Sequence, residues 1–168
     1  MAIRSFLGRL TPAWFERHLP LIGALMAAMV LLWLAPCISD LIDKQTIVLS
    51  NIYTAAFGWS AVQTSFAFGV YAYVAGSNGD FFKKFRDTPV YDSFLKYAHS
   101  ANWAGYALTI GTLPFLVSNV PLGAVYSKSF LAVIAWFSLL FYAVLSFLRV
   151  ARTFHLLALI KDRKIHLG

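Results

Sequence analysis

Four long apolar runs, separated by short polar or charged segments, dominate the pattern of this chain, at approximately 19–38, 48–76, 98–118 and 128–148. Each is long enough for a helix that crosses a bilayer. The second is the most informative, because no formal charge occurs between Val48 and Gly76. Asn51, Ala55, Gly58, Val62, Ser65, Gly69, Ala72 and Gly76 recur there at alternating steps of four and three, which on a helix forms one narrow stripe of mostly small side chains. Tyr53, Phe57, Trp59, Phe66, Val70, Tyr71 and Tyr73 supply bulk beside it. The pattern predicts a groove for close backbone approach, at the centre of a membrane bundle or of an oligomer.

The flanking segments predict how the runs connect. Ile3, Phe6, Leu7 and Leu10 share one helical face with Arg4 and Arg9 elsewhere, as in a helix lying in the membrane surface. Thr11-Pro12 reads as a helix start, and Gly23, Ala24, Ala27 and Ala28 give the first run small residues of its own. Asp40, Asp43 and Lys44 mark a polar turn. Ser77-Asn78-Gly79 ends the second helix and opens a charged loop, Asp80 to Lys96, in which Phe81, Phe82 and Phe85 are interleaved with Lys83, Lys84 and Arg86. Thr88-Pro89 restarts a helix, whose third run ends near Pro114 to Ser118; a short link with Pro121 and Gly123 follows, and Ser127 can cap the last helix. Neither Gly nor Pro interrupts Arg149 to Lys164, so the last helix is expected to continue as a tail over 149–164.

The expected fold is an all-α membrane protein: four transmembrane helices in an antiparallel bundle, an N-terminal interfacial amphipathic helix, and a fourth helix extended into the cytosol. A single transmembrane domain over 1–168 accounts for the length. Apolar residues make up 60% of the chain and charged ones only 12%, against roughly a quarter charged in soluble domains. Of the 14 Lys and Arg, only Lys44 and Lys128 fall in the first and third links. That asymmetry predicts both termini in the cytosol, and the expected location is a bacterial inner (plasma) membrane. The first run follows a basic segment without a small-residue cleavage site, so it reads as a retained span. The net charge of +7 is then the usual cytosolic excess that meets anionic headgroups, and no direct nucleic-acid binding is expected.

Candidate chemistry is sparse. No Asp, Glu, Lys, Arg or His stands mid-span, which weighs against a proton-coupled transporter. Gln63 and Thr64 are a possible polar pathway, with interhelical hydrogen bonding as the simpler reading. His99 and His155 could be imagined as haem or metal ligands, but no neighbouring ligand set supports them; Asp80, Asp87 and Asp92 read as charge balance within a cationic loop. The single Cys37 forms no internal disulfide and supports no thiol relay. No phosphate-binding loop or nucleophile elbow occurs, so no enzyme, no cofactor and no metal are expected.

The expected function is a non-enzymatic membrane subunit that forms a homo-oligomer through its small-residue face and recruits or regulates a cytosolic protein. Lys83, Lys84, Arg86, Arg149, Arg152, Lys161, Arg163 and Lys164 would form the surface for that partner or for lipid headgroups. This four-span plan with a basic cytosolic side resembles small bacterial membrane subunits of defence systems, such as the membrane protein of the Kiwa antiphage system, which is associated with a cytosolic effector. The resemblance lies in architecture and implies a sensor or scaffold role. The alternatives are an ion channel or small transporter lined by Asn51, Gln63, Thr64 and Ser65 around an oligomer axis, and an immunity protein against a pore-forming bacteriocin.

Overall fold

The computed structural model describes residues 13–44, 46–118 and 120–165, with side chains over 18–159 within these ranges. The interfacial helix expected before Thr11 lies outside the described residues, as do the side chains of Lys161, Arg163 and Lys164. Among the described residues there are six helices and no strand. They are α1 (Ala13–Trp33), α2 (Ala35–Asp43), α3 (Leu49–Gly76), α4 (Asp80–Arg86), α5 (Pro89–Ser118) and α6 (Lys128–Ile165).

The first run is not one straight helix. It breaks at Leu34, and α2 leaves α1 at 66°. The cause is Pro36, which lacks an N–H and whose ring would meet the carbonyl of Leu32 if α1 continued; in the first turn of a new helix it meets neither problem. The charged segment also differs from the expected loop. Gly79 is followed by α4, with Asp80 in its first turn and Lys83, Lys84 and Arg86 in its last, the arrangement that complements a helix dipole. Phe82 and Phe85 are three apart on one face, and both are buried.

α3, α5 and α6 form a three-helix core, and α1 packs along α6. Neighbours are antiparallel. Tyr53 meets Phe115 while further along α3 a β-carbon on Gly105 would meet Thr64, which sets α3 against α5. Trp136 with Thr112, and Arg149 with Tyr97, set α6 against α5. Gly23 faces Leu145 at one level of α1 and α6, and Leu31 shares a pocket with Phe130 and Val133 at another. One end of the molecule therefore gathers the close of α3, all of α4, the start of α5 and the close of α6. Ser127 caps α6, its Oγ accepting from the Phe130 N–H at 3.2 Å.

Two apolar clusters fill the core. Tyr53, Leu108, Phe130 and Trp136 belong to one, near α2. Val70, Phe82, Phe94 and Val150 belong to the other, under α4.

Among the described residues one helix, α6 over Lys128–Leu159, is by itself long and apolar enough to cross a membrane, and the bent pair α1–α2 qualifies if it counts as one broken span. Only 28% of the α6 window is buried, unlike the core helix of a soluble protein. The expected four spans are thus met in part. α3 misses the mark without carrying a single charge, because Gln63, its tyrosines, Trp59 and its hydroxyl residues dilute its apolarity.

Candidate functional site

Between the two apolar clusters lies a polar layer made by Ser60, Gln63 and Thr64 on α3, Thr109 on α5 and Ser146 on α6. Gln63 is fully buried, and its Nε2 donates to two carbonyl oxygens, Ala101 at 3.3 Å on α5 and Ala143 at 3.0 Å on α6. One side chain thereby ties three helices. The Thr109 hydroxyl donates to Ser60 Oγ at 2.8 Å, and the Thr64 hydroxyl donates back to Ser60 O at 2.8 Å. Below the layer the Trp136 indole donates to Thr112 Oγ1 at 2.9 Å. These bonds place Gln63 and Thr64 in the packing of the chain. Asn51 and Ser65 stand on the outer surface of α3, so these four residues do not line one wall within a single chain.

The small-residue stripe occupies that same outer surface. Asn51, Ala55, Gly58, Val62, Ser65, Gly69, Ala72 and Gly76 are all exposed, and a β-carbon added at Gly58, Gly69 or Gly76 would meet nothing within 4 Å. The stripe therefore makes no close helix contact among the described residues. The buried face is Leu49, Tyr53, Ala56, Ser60, Gln63, Ala67, Val70 and Val74. It has the same four-and-three spacing but lies two residues, or about 200°, around the helix. Close approach occurs elsewhere: a β-carbon on Gly105 would overlap Thr64 Oγ1, and one on Gly23 would overlap Leu145 Cδ1.

The basic end is divided into structural and outward-facing cations. Arg86 is half-buried and turns back on α3, its Nη2 donating to Ala75 O at 2.7 Å and Ser77 O at 2.5 Å. It satisfies carbonyls that the end of α3 leaves without helical partners. Arg149, expected on the docking surface, is only 8% exposed, with its guanidinium 3.9 Å from the centre of the Tyr97 ring. The Tyr97 ring covers one face of the cation, and with so little of the side chain exposed Arg149 does not belong to that surface. Lys83, Lys84 and Arg152 face outward. Packed rings support them: Phe81 packs edge-on against Phe82, and Tyr73 of α3 touches both Phe82 of α4 and Phe154 of α6, at ring separations of 5.6 and 6.2 Å. The sequence showed alternating rings and cations here, but nothing in it separated the two structural arginines from the outward charges.

His99 and His155 are both exposed, with His99 against the Trp103 ring. Among the described residues no group of three His, Cys, Asp or Glu side chains is placed to hold a metal. Asp80, Asp87 and Asp92 are exposed at the same end. The chain matches no protein-family model, no curated protein and no solved structure.

Proposed function

We propose that this chain is a non-enzymatic, multi-pass subunit of a bacterial inner membrane that holds a basic platform at the cytosolic face for an acidic protein partner. The observation that carries this reading is α4: a short helix anchored by buried Phe82 and Phe85 that turns Lys83 and Lys84 outward beside the emerging end of α6, where Arg152 is also exposed. Charges on a fixed support lose less conformational freedom on binding than charges on a loop, which suits them to recruitment. The spans would be α1, α3, α5 and α6, both termini cytosolic. Support for that comes from the uncharged length of α3 and from the large apolar side chains turned outward on the other three helices, among them Leu25, Met29, Ile110, Val117 and Leu131. A sensor or scaffold role in a defence system, with the exposed α3 stripe as the homo-oligomer contact, is the form of this function we favour.

The test is Lys83→Glu with Lys84→Glu, leaving Arg86 and Arg149 in place. Recovery of the partner at moderate salt should fall by about tenfold or more, while membrane insertion and elution of the protein stay unchanged. Undiminished recovery contradicts the docking reading. Loss of the protein from the membrane assigns the two lysines to topology, and ion flux through liposomes containing the protein alone would favour a channel.

A further inference from the structure

We propose that the apolar pocket in the elbow between α1 and α2 holds the acyl end of a membrane phospholipid whose phosphate lies near Lys128. The pocket has a volume of about 140 Å³, opens to the outside, and has no polar atom on its surface. Its walls include Leu31 of α1, Ile38 of α2, Ile52 of α3, Leu122 of the link before α6, and Phe130 and Val133 of α6. Walls without a polar atom offer water no hydrogen bond, and cavities of about 150 Å³ with such a lining take up hydrocarbon such as benzene. An occupant must therefore be hydrocarbon, and at this volume it is a small molecule or the last few carbons of a chain.

The surroundings select the second. α2 turns Ala35, Ile38 and Ile42 inward and leaves Asp40, Asp43 and Lys44 exposed, the disposition of a helix at a membrane boundary with its apolar side toward the acyl region. Leu32, Trp33 and Leu34, next to Leu31, are exposed apolar residues that meet acyl chains if α1 spans. The described cations near this pocket are Lys44, paired with Asp40 at 2.6 Å, and Lys128. Lys128 is exposed and opens α6 two residues before Phe130, at a helix N-terminus that favours an anion. A tail in the pocket and a phosphate at Lys128 match the two chemistries of one phospholipid. This inference rests on the membrane-spanning part of the proposed function and not on the docking of a protein partner.

The experiment uses the full chain in vesicles of phosphatidylethanolamine and phosphatidylglycerol, the latter carrying a photoreactive group at the end of one acyl chain, with adducts mapped by mass spectrometry. The expected adducts fall on Leu31, Ile38, Ile52 or Val133 as well as on outward Ile110. Filling the pocket with Ala35→Phe or, independently, Ile52→Phe should cut the pocket adducts by at least about fivefold and spare Ile110, because an overpacked site resists a further occupant. Lys128→Glu should lower pocket labelling without changing Ile110. Adducts on Ile110 and Val117 with none in the wild-type pocket overturn this inference and leave the spanning reading intact. Adducts at neither place overturn both. The wild-type pattern decides the matter even if both filled variants misfold.

Discussion

The side-chain amide of Gln63 donates to the carbonyl oxygen of Ala143 at 3.0 Å, joining α3 to α6 where the two apolar clusters meet. Both of its bonds are donated to carbonyl oxygens, so the site needs a donor. Gln63→Glu, nearly the same shape, would set an acceptor-only carboxylate against two carbonyls. We expect a loss of about 2–3 kcal/mol or more in detergent unfolding. The loss should shrink as pH falls, because the protonated carboxyl regains one donor. Gln63→Leu keeps the volume and should cost only about 1 kcal/mol, since interhelical bonds of this kind contribute little net stability. If Glu and Leu are equally tolerated at neutral pH, the bonds to Ala101 and Ala143 do not hold the layer.

Glycines of α3 and α5 should respond with opposite sign. Gly105→Ala places a β-carbon on Thr64 Oγ1, with Ser60 O at 3.6 Å behind it, and should destabilise by about 1–3 kcal/mol. Gly58→Ala and Gly69→Ala meet nothing among the described residues and should stabilise the chain by up to about 1 kcal/mol each through helix propensity. Thermal unfolding of the dissociated chain measures both. A change in self-association on Gly58→Leu with the unfolding temperature unchanged would assign the stripe to contacts between copies.

Helix boundaries were largely legible in the sequence, while the packing face of α3 was not. The uncharged run to Gly76 and its Ser77-Asn78-Gly79 stop mark α3 within a residue, and the absence of Gly and Pro carries α6 without a break to Ile165. Two stripes of α3 share the same periodicity, and small size singled out the outer one. Over much of its length the core took the other because smallness is supplied from across the interface: Ala98, Ala101, Ala104 and Gly105 of α5 leave room at the level of Gln63 and Val70. Complementarity between two helices cannot be read from either alone. For a similar reason Arg86 and Arg149 looked like surface charge, since their partners, the end of α3 and the Tyr97 ring, become neighbours only on folding.

Arg86 should behave differently from the two lysines beside it. Arg86→Ala removes donors from Ala75 O and Ser77 O and is expected to cost about 1–3 kcal/mol, the range for charge-assisted bonds lost from a partly buried site. Lys83→Ala and Lys84→Ala are exposed changes and should remain within about 0.5 kcal/mol. Equal effects at all three positions would contradict the structural role of Arg86.

The central claim is that the chain crosses the membrane more than once and turns the α4 end toward the cytosol, and α3 tests it most directly. At 28 residues α3 is about 42 Å long, more than the hydrocarbon core requires, yet by composition it falls short of a membrane span. Thr46 and Asn78 flank it and are both exposed. In a Cys37→Ser background, Thr46→Cys should react with a membrane-impermeant maleimide on intact cells with the outer membrane opened. Asn78→Cys should react only after the inner membrane is permeabilised. Reaction of both from the same side would contradict the account.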